Sequence, residues 1–246
     1  MPTALPFSGW RSVRSSRSST DLHHDRRMTN ALFKGSGTAL VTPFSDRGVN
    51  ERVLRELVEF QLSAGSDALV VCGSTGEAST MSPAEQAEVV RIAVDAVNGR
   101  IPVIAGAGGS DTAAVSALAR TARQRGADAL LVSPPPYNKP TQKGILAHYR
   151  AVLEDADLPL IVYNVPGRTA CNILPETMEA LAEDPRIVGV KEASGDISQV
   201  ADLARRLSDR VAIYSGNDDQ VIPLLALGGA GVISVLANIA PADVSR

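Results

Sequence analysis

The run 187–194, IVGVKEAS, places a lysine and a glutamate at the end of a short apolar stretch. Ile187, Val188 and Val190 give it the look of a strand buried on both faces. Burial penalises an ammonium group and lowers a lysine pKa by about 3–5 units when it is complete. A lysine neutral near pH 7 is a nucleophile, and its natural electrophile is a carbonyl carbon. Lys191 is one of only four lysines against twenty arginines, and Lys34, Lys139 and Lys143 lie in polar or turn-like sequence. On this segment alone the plainer reading is the stronger one: a lysine that caps a strand and pairs with Glu192. The other chemistry-bearing residues shift that balance.

Three further stretches carry groups suited to a keto acid. Gly73-Ser74-Thr75-Gly76-Glu77 sets two hydroxyls and free backbone N–H groups between glycines, a cradle that fits a carboxylate. Taken alone it reads more readily as a tight strand-to-helix turn. Pro134-Pro135-Pro136-Tyr137-Asn138 is a stiff loop that projects a phenol, or simply an exposed loop tyrosine. Tyr163-Asn164-Val165-Pro166-Gly167-Arg168-Thr169 carries a phenol and, five residues on, a guanidinium. An arginine there suits bidentate capture of a carboxylate, or pairing with a nearby acid. Together these are a lysine, two phenols, two hydroxyls and an arginine, without a metal-ligand set or a phosphate loop. That set fits imine chemistry on a keto acid. Of the three histidines, His23 and His24 sit in the N-terminal tail and only His148 in the body, which argues against a histidine triad or zinc site.

These residues need a scaffold that brings distant loops to one place. From residue 37 onward, apolar runs at 37–44, 67–77, 101–108, 127–138, 158–166, 187–194, 211–218 and 231–238 alternate with helix-like segments. The helices are predicted at 51–65, 83–97, 111–125, 141–154, from 175, at 197–207, and through 227. AGSDALVV, RGADALLV and GGAGVISV each place glycine where a helix should stop before a strand. Strands that alternate with helices and are apolar on both faces imply a parallel sheet, and eight such units imply a closed (β/α)8 TIM barrel, an α/β fold. Chemistry in such a barrel sits at the C-terminal ends of the strands, which is where all the residues above fall. A doubly wound open sheet is the alternative, but the glycines at 106, 108 and 109 lack the third glycine and partner acid of a dinucleotide fingerprint.

The 246 residues, 44% hydrophobic and 21% charged, suit one large globular domain. A formal charge of −3 lacks the basic footprint of a nucleic-acid binder. No apolar run reaches the roughly 18 residues of a membrane-spanning helix. Two distant cysteines, Cys72 and Cys171, suit a reducing compartment and no disulfide framework. Residues 1–30 are rich in Ser and Arg, lack hydrophobic period, and are expected to be a disordered extension preceding a catalytic domain at 31–246. Their composition also resembles an organelle transit peptide; an extension from an early start, with Met28 as the true start, is the preferred reading.

GSTGE, PPYNKPTQ, YNVPGRT, GVKEASGD and GGAGVISV, in this order, resemble the 4-hydroxy-tetrahydrodipicolinate synthase (dihydrodipicolinate synthase) family, class I lysine-dependent aldolase-type barrels of lysine biosynthesis. The resemblance covers about residues 31–246. It implies a cytoplasmic lyase without cofactor that condenses pyruvate with L-aspartate 4-semialdehyde. By it, Lys191 forms the Schiff base with pyruvate, Tyr163 relays protons, and Thr75 and Tyr137 complete the relay. Tyr137 is then supplied across a subunit interface, which implies a homotetramer built as a dimer of dimers. Ser74 and Thr75 correspond to the pyruvate carboxylate site, Arg168 to the residue that holds the carboxylate of the semialdehyde, and Gly216 and Ile233 to positions lining the pocket.

The nearest alternatives are N-acetylneuraminate lyase and 2-keto-3-deoxy sugar-acid aldolases, which need not bind a second carboxylate at Arg168. Two departures matter. Family members continue beyond the eighth strand with an eighth helix and a further helical segment, so the barrel is expected to be incomplete at its C-terminus, poorly soluble and weakly active, or an inactive truncated fragment. Lysine-inhibited members carry a tyrosine just before the interface tyrosine; here Pro136 stands there, so weak lysine feedback is expected.

Overall fold

The computed structural model describes residues 31–207 and 210–246. The extension 1–30, expected to be disordered, lies outside the described residues.

Eight strands close into a parallel barrel. They are β1 Gly35–Ala39, β2 Ala68–Val71, β3 Val103–Gly106, β4 Ala129–Val132, β5 Leu160–Asn164, β6 Ile187–Glu192, β7 Ala212–Ser215 and β8 Gly231–Ser234. Each pairs with the next in sequence, and β8 closes on β1 through Gly35–Gly231 to Thr38–Ser234. The helices between them are α1 Glu51–Ser63, α2 Pro83–Val97, α3 Thr112–Gln124, α4 Gln142–Ala156, α5 Pro175–Leu181, α6 Ile197–Leu207 and α7 Val221–Ala226. This is the (β/α)8 arrangement the alternating runs imply; the open sheet is excluded by the β8–β1 pairing.

Local chemistry explains where the elements start and stop. Ser82 and Glu85 form a reciprocal capping box with Pro83 at the first helical position of α2. Asn50, Asp111 and Thr141 cap α1, α3 and α4. Gly65, Gly126 and Gly228 take positive φ just past α1, α3 and α7. Asp67 and Asp128, in the two related GSDAL and GADAL turns, each accept a backbone N–H from the preceding strand: Ser36 N at 2.8 Å and Val103 N at 2.7 Å. These bonds set the register at the N-terminal rim.

Strand alternation divides the apolar residues into two layers. Ala68, Val70, Ile104, Ala129, Leu131, Ile161 and Ile233 fill the barrel, while Leu69, Val71, Val103, Leu130, Val132, Val162 and Val190 pack outward under the helices. Phe33 and Tyr214 stack inside at 4.4 Å between ring centroids, and the Tyr214 hydroxyl donates to Phe33 O at 2.8 Å. Gly189 makes room for that ring, since a Cβ there would lie 3.0 Å from Tyr214 Cε2. The N-terminal end of the barrel is therefore filled, and open space is left at the other end.

After β8 the chain makes a 3-10 turn, Leu236–Asn238, and a single helical turn, Pro241–Val244. Val235, Leu236 and Ile239 of this segment, and Ile222 and Leu225 of α7, are exposed apolar side chains.

Candidate active site

At the C-terminal ends of the strands lies a cavity of about 420 Å3. Lys191 reaches it because β6 alternates: Gly189 and Lys191 face the barrel interior, and Val190 and Glu192 face the helices. Both Lys191 and Glu192 are buried. They are not partners. The Glu192 carboxylate accepts from Asn164 Nδ2, Gln199 Nε2 and the Ser194 backbone N–H. The plainer reading of Lys191 as a strand cap paired with Glu192 fails on this point.

Desolvation lowers the Lys191 pKa to about 8, the nearby Asp218 carboxylate opposes that shift, and the Arg168 guanidinium adds to it. The shift is smaller than full burial alone would give. The neutral, nucleophilic amine is therefore far more accessible near neutral pH than in an ordinary lysine. The residue that limits the shift, Asp218, was not given a role from sequence. It lines the cavity at the end of β7 and accepts from Ser234 Oγ at 2.6 Å and from the backbone N–H groups of Val235 and Leu236. The rule that strand ends carry the chemistry could have found it in SGND.

Tyr163, on β5, is directly paired in register with Lys191, and its ring centroid lies 4.5 Å from Lys191 Nζ. Burial raises the phenol pKa, with Arg168 opposing. A protonated phenol beside an amine can give or take a proton without histidine. Ser74 and Thr75 follow β2 and line the same cavity with Gly73. Arg168 sits on the helical turn Pro166–Thr169, which Pro166 starts and Ala170 ends in the left-handed region. It lines the cavity and, among the described residues, has no carboxylate at ion-pair distance. Gly216 lines the cavity beside Lys191: a Cβ there would lie 3.1 Å from Lys191 Cε and 2.6 Å from Ala193 Cβ.

Two expected site residues stand apart. Ile233 is fully buried within the barrel and does not line the cavity. Tyr137 is 88% exposed, so one chain brings together one phenol, not two. Its loop is nonetheless tied to its neighbours by hydrogen bonds. Tyr137 takes a φ of +68° and donates its N–H to Thr169 O, and Asn138 Nδ2 donates to Ser110 O. A second cavity of about 340 Å3 adjoins the first, shares Ser74, Tyr163 and Arg168 with it, and reaches Ser133 and Pro136 of the Tyr137 loop. Among the described residues no three His, Cys, Asp or Glu side chains are grouped to hold a metal ion.

Fold and site together define a (β/α)8 barrel with a buried, pKa-lowered lysine beside a tyrosine at its mouth. Comparisons with known proteins agree on the fold. The model of the Dihydrodipicolinate synthetase family matches residues 32–246. A 4-hydroxy-tetrahydrodipicolinate synthase of Clostridium tetani is 53% identical over 215 residues, 87% of this chain and 73% of that protein. The dihydrodipicolinate synthase of Acinetobacter baumannii, solved in complex with pyruvate, superposes with a TM-score of 0.84 at 45% identity, covering 86% of this chain and 73% of that one. That of Cyanidioschyzon merolae, solved with lysine bound, gives 0.85 at 42%, covering 88% and 74%. The chain belongs to the Dihydrodipicolinate synthetase family.

Proposed function

We propose that this chain condenses pyruvate with L-aspartate 4-semialdehyde through a Schiff base on Lys191, as a cytoplasmic enzyme of diaminopimelate and lysine biosynthesis. The observation that carries the reading is the buried Lys191 amine beside Tyr163 in a cavity that also holds Ser74, Thr75 and Arg168. The neutral amine attacks the pyruvate ketone carbon, and loss of water gives the imine. The imine acidifies the methyl group, and loss of a proton gives an enamine. The enamine carbon adds to the aldehyde carbon, whose oxygen takes up a proton. The amino group of the semialdehyde then attacks the imine carbon, closes the ring and releases Lys191. Each stage moves a proton, and the Tyr163 phenol, on the ring beside the amine, supports a role as its carrier.

The N–H and hydroxyl groups of Ser74 and Thr75 suit the pyruvate carboxylate, and the Arg168 guanidinium, with no carboxylate partner among the described residues, suits the carboxylate of the second substrate. Tyr137 of a second copy completes the relay with Thr75, in a dimer within a homotetramer. Its exposure on a hydrogen-bonded loop, and the second cavity beside that loop, support this reading. With Pro136 beside it, lysine feedback is weak; half-inhibition at sub-millimolar lysine would overturn that statement.

Arg168 separates this function from sugar-acid cleavage. Coupled assays with aspartate semialdehyde and with N-acetylneuraminate test it. Turnover of the first, and a KM for it raised about 10- to 100-fold by Arg168→Ala, is the expected outcome. Turnover of N-acetylneuraminate alone would refute it.

A further inference from the structure

Behind Lys191 and Tyr163, on the outer face of the barrel, lies a buried polar network that the chemistry above does not use. Asn164 follows Tyr163, Glu192 follows Lys191, and the two are register partners across β5 and β6. Both are buried, and among the described residues Glu192 has no cationic partner. Among the described residues its oxygens meet only N–H donors: Ser194 N at 2.7 Å, Asn164 Nδ2 at 3.0 Å and Gln199 Nε2 at 3.3 Å. An acceptor-only carboxylate matches such a ring, and hydrogen bonds to it are the stronger, charge-assisted kind.

The network continues into the segment that carries Arg168. Asn164 Nδ2 also donates to Asn172 Oδ1 at 2.8 Å, and Asn164 Oδ1 accepts from Ile173 N at 3.0 Å. Asn172 Nδ2 donates to Gln199 Oε1 at 2.8 Å. Arg168 thus leaves the barrel at Asn164 and its loop returns at Asn172, and both ends are tied to Glu192 directly or through one side chain. Lys191 depends less on these bonds. Its strand is paired along its length with β5 and β7, and its side chain is hemmed by Tyr163 and Gly216.

We propose that Glu192 is a positioning residue for the second substrate: its carboxylate fixes the loop that carries Arg168, and it governs capture of the carboxylate-bearing aldehyde without governing imine formation at Lys191. This rests on the function proposed above. In Glu192→Gln an N–H group faces N–H donors, the bonds to Asn164 and Gln199 cannot all form, and the Arg168 loop loses its anchor. A displacement of about 1 Å at a binding group can cost as much as 100-fold.

The test measures two things on the same protein: the rate of borohydride trapping with pyruvate alone, and steady-state kinetics with both substrates. For Glu192→Gln the expected result is trapping at the wild-type rate, with a KM for aspartate semialdehyde raised about 10- to 100-fold. Glu192→Asp, which keeps the acceptors, should recover part of that loss. If Glu192→Gln does not fold, Gln199→Ala, at a half-buried position, should show the same split to a smaller degree. Trapping and condensation falling in parallel, or kinetics unchanged for both substrates, would overturn the role of Glu192 and leave the Lys191 chemistry standing. A wild-type protein that pyruvate and borohydride do not modify would overturn both.

Discussion

Lys191 and Tyr163 occupy the same rung of the barrel: they are register partners on adjacent strands, with the amine 4.5 Å from the ring centroid. Two side chains fixed by strand pairing need no loop movement to meet. The phenol is kept protonated by the burial that lowers the lysine pKa. One environment therefore prepares both a nucleophile and a proton donor.

Removing that hydroxyl should cost activity more than structure. Tyr163→Phe keeps the ring beside Lys191 and loses only the transferable proton. A fall in kcat of about 100- to 10,000-fold is expected, with an unchanged melting temperature, from parallel assays and thermal melts.

The pH dependence follows from the lysine. Only the neutral amine attacks the ketone, so the rate of pyruvate trapping should rise about tenfold per pH unit below the Lys191 pKa and level off above about 8. Asp218 favours the charged amine. Asp218→Asn keeps an acceptor for the Val235 and Leu236 N–H groups and should move the midpoint to lower pH. A midpoint unmoved or raised in this variant would contradict the electrostatic assignment.

Stability should show the reverse face of the same shift. The folded Lys191 pKa lies below the ordinary lysine value of 10.5, so between about 8 and 10.5 the unfolded chain binds more protons and the folded state gains stability as pH rises. Lys191→Met removes the buried ammonium. It should be more stable than the wild type by roughly 1–3 kcal/mol at pH 7, with the difference shrinking towards pH 10.5. Denaturant titrations at several pH values measure this.

Gly216 should tolerate no side chain. A Cβ there meets Lys191 Cε and Ala193 Cβ at 3.1 and 2.6 Å. Gly216→Ala should destabilise by about 1–3 kcal/mol through overpacking, and displace the amine enough to slow trapping.

Much of the barrel was legible because its signals are local. The capping box of Ser82 and Glu85 and the glycines at 65, 126 and 228 mark element ends within a few residues, and α2 and α6 fall at the expected boundaries. Lys191, Thr75, Tyr163 and Arg168 line one cavity because a parallel barrel gathers strand ends whatever their distance in sequence. The rest depends on relations the sequence does not state. Sequence can show that prolines stiffen the Tyr137 loop, but not that the ring turns away from the cavity of its own chain. Ile233 faces the barrel interior, as Lys191 does, but its neighbours bury it completely, which the sequence does not state. Glu192 lies beside Lys191 in sequence and on the opposite face of the strand in space, so adjacency suggested an ion pair that the alternation of a strand forbids.

The most direct measurement is the mass of the peptides obtained after incubation with pyruvate, reduction with borohydride and digestion. Reductive trapping should add one pyruvate-derived group to the peptide that contains Lys191, and none to those with Lys34, Lys139 or Lys143. An unmodified Lys191 peptide, or a Lys191→Ala variant that condenses its substrates at full rate, would contradict the central claim.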